Sequence, residues 1–353
     1  MNQTTVRIGG RPVGPGHPAY IVAELSGNHN GSLDRALASV RAAAEAGADA
    51  IKLQTYTADT LTIDSDRPEF VVGGSGPWGG RTLHALYEEA HTPWAWHAPL
   101  FEEARRCGID IFSTPFDITA IELLESLGAP AHKVASFELV DDQLLRQVAA
   151  TGKPIIISTG MATLEELAHA LAVLRKAGAS ELIVLKCTSS YPAPDDSMHL
   201  STIGTLAQVS GCPVGLSDHS MGTTAPVVAV ALGACFVEKH FTLSRADGGV
   251  DSHFSLEPAE FAALVRDVRR AEAMIGTPRF GGGTAEEGNI VFRRSLYVVE
   301  DIPAGGTLTT RNLRSIRPGY GLPPSLLDQM LGRRVRRDVA RGTAMSWDLV
   351  TDG

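Results

Sequence analysis

Eight short apolar runs recur through the first 240 residues, and each ends in polar or ionisable side chains. The first four are YIVAEL ending near Glu24, AIKLQ with Lys52 and Gln54, IDIFST with Ser113 and Thr114, and AHKVAS with Lys133 and Ser136. The second four are PIIIST with Ser158, ELIVLKCT with Lys186 and Cys187, PVGLSD running into Asp218 and His219, and CFVEKH with Glu238 and His240. Strands buried on both faces read as continuous apolar runs, and in a parallel α/β barrel the chemistry collects at their C-terminal ends. The expected fold class is therefore α/β, a closed (β/α)8 TIM barrel with its active site at the strand ends.

Between the runs lie alanine-rich segments with 3.6-residue periodicity, clearest over Leu33 to Ala48 and Leu164 to Ala179. Both end in Ala-Gly-Ala, a glycine stop just ahead of the next strand. Alternating strands and helices with short loops make right-handed βαβ units. No GxGxxG follows the first strand, which argues against an open dinucleotide-binding sheet. One connection is much longer than the rest, from Thr55 to about Leu100, with YTADTLTID, GGSGPWGG and TLHALYEEAHTPWAWH along it. Such a segment reads as a lid or binding loop. Trp78, Trp94 and Trp96 in it are candidates to stack on a substrate, against the commoner role of packing.

The beat stops after the helical stretch Glu257 to Gly276. TPRFGGGTAEEGN reads as a linker, and the remainder as short strands broken by Pro and Gly turns. The expected domains are a catalytic barrel over 1–280, a linker over 281–293 and a small domain over 294–353. The last is too small to be very stable unless it docks.

The chain has 353 residues, 44% hydrophobic and 20% charged, with a net charge of -9. That is ordinary for a soluble enzyme and offers no basic stripe to neutralise phosphates, so nucleic acid is not an expected partner. The local RRVRR run, Arg333 to Arg337, reads as a solvated face or an oligomer contact. No apolar run approaches the ~20 residues needed to cross a bilayer, and no N-terminal stretch resembles a signal peptide, so a cytoplasmic location without membrane partners is expected. The scattered Cys107, Cys187, Cys212 and Cys235 lack CxxC spacing, which suits reduced thiols.

His219 and His240 end consecutive expected strands, so a barrel brings their rings together. With Glu24 and Asp251 as possible neighbours, they suit a divalent metal that keeps open positions, although a lone histidine is more often structural. Lys52, Lys133 and Lys186 end three other strands. A lysine in a barrel mouth is costly unless an anion or a reacting carbonyl meets it. One such lysine could be a Schiff-base nucleophile; three, interleaved with Ser113, Thr114, Ser136 and Ser158, look more like a cradle for phosphate and carboxylate.

AELSGNHNGS, IKLQTYTADT, FSTPFD, HKVASFEL, IISTGMA, GLSDHSMG and VEKHFTL together resemble the sialic acid synthase family, phosphoenolpyruvate-dependent condensing enzymes with a metal in a TIM barrel. The tail RRSLYVVEDIPAGGTLTTRNLRSIRPGYGL resembles that family's C-terminal antifreeze-like (SAF) domain. The likeness runs in order along nearly the whole chain. LSGNHN, KLQTYTADT, EAHTPWAW and SIRPGYGL are most similar to the branch that makes pseudaminic acid, rather than the N-acetylneuraminate or legionaminate branches.

What the resemblance implies follows residue by residue. His219 and His240 would ligate a divalent metal (Mn2+, Mg2+ or Co2+). Lys52, Thr114, Lys133, Ser136, Ser158 and Ser217 would hold the phosphate and carboxylate of phosphoenolpyruvate. Glu24, Gln54 and Asp251 would face the acetamido sugar, the attacking water or metal-bound water. Arg317 would reach from the SAF domain of one subunit into the partner's barrel, which implies a domain-swapped homodimer. The implied reaction joins phosphoenolpyruvate to 2,4-diacetamido-2,4,6-trideoxy-L-altrose and water, giving a nine-carbon 2-keto acid and phosphate. A Schiff-base aldolase and a non-catalytic carbohydrate-binding protein are the competing readings. The metal edge of the mouth is expected to comprise Asp218, His219, Glu238 and His240.

Overall fold

Each of the eight apolar runs forms a strand: β1 (Tyr20–Glu24), β2 (Ala50–Thr55), β3 (Asp110–Pro115), β4 (His132–Val134), β5 (Ile155–Ser158), β6 (Leu182–Cys187), β7 (Val214–Asp218) and β8 (Phe236–His240). The computed structural model describes residues 5–74 and 78–351, so Ser75 to Pro77 of the expected lid lie outside the described residues. All eight strands pair in parallel and in sequence order, and β8 closes the barrel against β1.

A helix follows every strand: α1 (Leu33–Glu45), α2 (Trp94–Cys107), α3 (Ile118–Leu127), α4 (Asp142–Ala149), α5 (Leu164–Lys176), α6 (Thr202–Ser210), α7 (Thr224–Ala231) and α8 (Pro258–Ile275). Local chemistry sets their ends. Ser32 caps α1 by accepting from the Arg35 amide at 3.3 Å, and Thr163 and Glu166 form a reciprocal capping box on α5. Gly47 and Gly178, the central glycines of the two Ala-Gly-Ala stops, adopt φ of 89° and 103°. Helices α1 and α5 therefore end a few residues before those triplets finish.

Alternation along the strands sorts the core into two layers. Tyr20, Val22, Ala50, Phe112, Ile156, Ile183, Leu185 and Phe236 pack inside the barrel, together with Val6, Ile8 and Val13 of the N-terminal hairpin (Val6–Ile8 with Arg11–Val13). The intervening residues, such as Ile21, Ala23, Ile51, Leu53 and Val237, pack outward on helical residues including Val40, Phe101 and Leu264. The long connection is shorter than its sequence suggests, because TPWAWH begins the regular barrel helix α2 behind Pro93. What remains carries two small helices, Ala58–Leu61 and Leu83–Ala90.

Contacts divide the chain into Met1–Gly276 and Thr277–Gly353. The second unit is built on an antiparallel pair, Ser295–Val298 with Leu313–Ile316, over a core of Leu296, Val298, Ile302, Leu308, Leu313, Met330 and Val335. Within it, Arg337 pairs with Asp348 at 3.0 Å and the Arg333 guanidinium lies 5.5 Å from the Trp347 ring centroid. No helix among the described residues is long and apolar enough to cross a membrane.

Candidate active site

The inward strand positions continue upward from the apolar interior into a cavity of about 460 Å³ at the C-terminal end of the barrel. Tyr20 and Val22 lead to Glu24, Ala50 to Lys52 and Gln54, Phe112 to Thr114, Ile156 to Ser158, and Phe236 to Glu238 and His240. Period-two geometry thus delivers Glu24, Lys52, Gln54, Thr114, Lys133, Ser158, Ser217, His219 and His240 to the wall of one cavity, and the loops after β4 and β8 add Ser136 and Asp251. Arg317 belongs to the second unit, where it is exposed.

Two buried lysines and two buried carboxylates form the floor. Lys52 Nζ lies 2.7 Å from Glu24 Oε2, 3.7 Å from Glu238 Oε1 and 3.0 Å from Thr114 Oγ1. Lys133 Nζ is less well served, with its nearest carboxylate oxygen, Glu238 Oε1, at 4.0 Å. Gln54 Nε2 donates to Glu24 Oε1 at 2.9 Å and to Ser26 Oγ at 3.1 Å, and Ser26 in turn donates to Asp251.

Electrostatics separates these groups by role. Burial pushes Glu24 up to about 7 against the pull of Lys52. Burial also raises Glu238, but Lys133, Lys52 and His219 outweigh it and leave that carboxyl below its usual range. Lys52 stays above the ordinary lysine value because Glu238 and Glu24 overcome its desolvation, whereas burial wins at Lys133 and lowers it. A buried ammonium at Lys133, with buried hydroxyls of Ser158 and Ser136 nearby on the wall, favours an incoming anion. Gly160 completes this corner. Its N–H donates to Ser136 Oγ at 3.0 Å, and a Cβ there would come 2.1 Å from Ser189 Oγ.

On the opposite edge, the His219 and His240 rings lie 5.3 Å apart between centroids. His219 Nδ1 is 3.0 Å from the Thr188 carbonyl, which fixes Nδ1 as the protonated nitrogen and leaves Nε2 as the available donor. Burial opposes charge at His219, but Cys187, 3.8 Å from Nδ1, raises its value; a cation on Nε2 would replace that proton. His240 is held neutral, well below its usual value, by burial and by His219. Its buried Nδ1 has no hydrogen-bond partner, and Asp251 Oδ2 lies 3.7 Å away. Two imidazoles of this kind fit a divalent ion. Among the described residues no group of three or more His, Cys, Asp and Glu could enclose one, so water and substrate would complete its shell.

Three expectations need correction. Asp218 does not belong to the metal edge. It precedes the inward His219 and so points outward, where Lys239 Nζ meets its Oδ2 at 2.6 Å. Glu238 faces inward but serves the lysines and accepts from Ser217 Oγ at 3.1 Å. Lys186 also has outward parity, and its Nζ donates to the Cys187 carbonyl at 2.8 Å rather than joining the cradle. Of the tryptophans, Trp78 lines the cavity and donates Nε1 to the Val250 carbonyl at 2.9 Å. Trp96 instead packs edge-on against His29, with centroids 5.3 Å apart, and Trp94 is not on the cavity wall.

Several wall residues carry no periodic sequence signal. Tyr191 comes from the loop after β6 and stands 4.3 Å from His219 between ring centroids. Tyr56 and Glu138 also join from loops, while Tyr87 comes from the inserted helix, where its spacing from Leu83 is helical. Cys187 has inward parity at the end of β6, a signal that could have placed it.

Residues 39–279 match the model of the NeuB family, and residues 293–351 match the SAF domain. The chain is 45% identical over 326 residues to a pseudaminic acid synthase of Campylobacter jejuni, covering 92% of this chain and 95% of that one. It is 40% identical to the pseudaminic acid synthase of Helicobacter pylori, over 94% of this chain and 97% of the relative. It is 34% identical to the N,N'-diacetyllegionaminic acid synthase of Legionella pneumophila, over 96% of each. Among solved structures, the N-acetylneuraminic acid synthetase of Leptospira borgpetersenii in complex with citrate superposes with a TM-score of 0.73 at 32% identity, covering 82% of this chain and 95% of that chain.

Proposed function

The chain belongs to the NeuB family, and from that premise we propose that it is a pseudaminic acid synthase, a transferase that condenses phosphoenolpyruvate with 2,4-diacetamido-2,4,6-trideoxy-L-altrose. The observation that carries this reading is its identity to pseudaminic acid synthases over nearly the full length of both chains, higher than to the legionaminic acid synthases.

In this reading Lys52 and Lys133 take the phosphate and carboxylate of phosphoenolpyruvate, with Thr114, Ser136, Ser158 and Ser217 donating hydroxyl hydrogen bonds. His219 and His240 would hold a divalent ion, which when bound supplies Lewis acidity toward the sugar aldehyde. Carbon 3 of phosphoenolpyruvate attacks the aldehyde carbon, water adds at carbon 2, and phosphate departs. Glu24 is the group for the water. A carboxyl near 7 exchanges protons at neutral pH, and Gln54 and Lys52 fix its two oxygens. Asp251, tied to Ser26, faces the sugar side. Arg317 would reach a partner's barrel in a homodimer.

Phosphate release should be measured with phosphoenolpyruvate and three sugars in parallel: the altrose derivative, the legionaminic acid precursor and N-acetylmannosamine. Fastest turnover of the altrose derivative is expected. Turnover of N-acetylmannosamine alone would sink the branch assignment and leave the condensation chemistry standing. Borohydride trapping with pyruvate separates the Schiff-base alternative, for which a covalent adduct would form at a strand-end lysine.

A further inference from the structure

The inserted connection between β2 and α2 presents a one-sided face to the cavity. In its Leu83–Ala90 helix the residues on the cavity wall are Leu83, Leu86, Tyr87 and Ala90. Their spacing of i, i+3, i+4 and i+7 is a single helical face. The charged and titratable residues of this segment turn away. Arg81 pairs with Glu89 at the surface, and His84 Nε2 meets Asp59 Oδ1 at 3.0 Å. Tyr56, buried just past the end of β2, extends the face, with its ring edge-on to Tyr87 at 5.8 Å between centroids. The helix can come this close because residue 27 is glycine. A Cβ at Gly27 would sit 3.3 Å from Ala90 Cα, Cβ and carbonyl oxygen.

The cavity is therefore divided. Its barrel side is ionic, and the side supplied by the insertion carries no charged group. Two phenol hydroxyls and the indole of Trp78, whose N–H is already given to the Val250 carbonyl, stand there among aliphatic carbon. Phosphoenolpyruvate, a small trianion, has no use for that second side. A sugar bearing a 6-methyl and acetamido methyls does, whereas a 6-hydroxyl set against Leu83 or Leu86 would lose its water without gaining a partner. We propose that the Leu83–Leu86–Tyr87–Ala90 face, with Tyr56, is the subsite for the methyl-bearing end of the sugar, and that it sets selectivity for 6-deoxy over 6-hydroxy amino sugars. This rests on the reading that the second substrate is a diacetamido-trideoxy hexose.

One added hydroxyl or methylene against an apolar pocket changes kcat/KM by roughly 10–200-fold. The test compares kcat/KM for the 6-deoxy sugar and for its 6-hydroxy analogue in the unaltered enzyme, in Leu86→Ser and in Leu83→Ser. Leu83 is only half-buried, so that variant guards against loss of folding at the buried Leu86. The expected result is a preference for the 6-deoxy sugar of at least about tenfold that falls by about tenfold in one or both variants, with KM for phosphoenolpyruvate unmoved. Turnover of both sugars with the same ratio in all three proteins would overturn the subsite. No phosphate release from the diacetamido sugar by the unaltered enzyme would overturn the underlying function as well, so the two failures look different.

Discussion

Lys239 Nζ lies 2.6 Å from Asp218 Oδ2, and neither side chain exposes any surface. The pair sits outside the barrel wall, one residue before each of the two imidazoles, His219 and His240. Asp218 Oδ1 also accepts from the Ser220 amide at 2.8 Å and hydroxyl at 2.7 Å, and Lys239 reaches the Ser220 carbonyl. The loop that carries His219 is thereby tied to the strand that carries His240.

Removing one partner of such a buried pair strands the other charge, at a cost of about 3–5 kcal/mol. Lys239→Met should lose stability on that scale in urea unfolding. The double variant Asp218→Asn with Lys239→Met has no buried charge and can keep the Ser220 bonds, so it should recover most of the loss. Manganese titration of the double variant should still show about tenfold weaker binding, as expected when groups that orient ligands are removed. A single variant that loses less than about 1 kcal/mol would show that the pair contributes little.

The two lysines of the floor should respond in opposite ways. Lys52 serves both Glu24 and Glu238, so Lys52→Met takes a buried donor from two carboxyls. Glu24, already near 7, can take up a proton, and the cost should be about 1–3 kcal/mol of stability. Lys133 is buried with its nearest carboxylate oxygen at 4.0 Å, so its charge is poorly compensated until an anion arrives. Lys133→Met should leave stability nearly unchanged while weakening phosphoenolpyruvate binding by roughly 10–150-fold, the worth of a charged hydrogen bond. Calorimetric titration with phosphoenolpyruvate beside thermal unfolding gives both numbers, and equal stability losses in the two variants would count against this division.

Much of this was legible in the sequence because a strand repeats every two residues. Once the interior Val22, Ala50 and Phe112 are placed, Glu24, Lys52 and Thr114 must face the same way. The same parity turns Asp218 away from the metal edge and gives Lys186 an outward place, since each neighbours an inward residue. Residue spacing within the Leu83–Ala90 helix was also readable, but not the direction of its apolar face, which depends on how Gly27 lets Ala90 approach. Tyr191 had no signal at all, being placed by a loop whose path only tertiary packing decides.

His29 and His97 are among the buried histidines that cost the barrel stability in acid. Burial lowers each to about 4 from the ordinary 6.5. The folded state binds fewer protons than the unfolded chain between those values, so their stabilising effect is complete above pH 6.5 and is lost as pH falls toward 4. Each shift corresponds to about 3 kcal/mol. His97→Gln retains a group able to bond Thr55 Oγ1, which lies 2.8 Å from His97 Nε2, but cannot take up the proton. Its unfolding free energy should fall less steeply than that of the unaltered protein from pH 7 to pH 4.5. Parallel profiles would mean that His97 is not buried neutral.

Arg317 gives the sharpest test of the proposed homodimer. If it stabilises charge in the partner's barrel, Arg317→Ala should lower kcat by roughly 10²–10³-fold, as removal of a preorganised electrostatic donor does. Its manganese affinity should be unchanged, since His219 and His240 stay intact. The His240→Ala variant should be inactive for the complementary reason. After subunit exchange of an equal mixture, half of the dimers are hybrids, and each hybrid holds one site with an intact barrel and the other subunit's Arg317. Activity should then return to about a quarter of the unaltered level. An arginine acting within its own chain gives no such site in any dimer, so a mixture that stays at the sum of its two parents would reject the exchange of Arg317 between subunits.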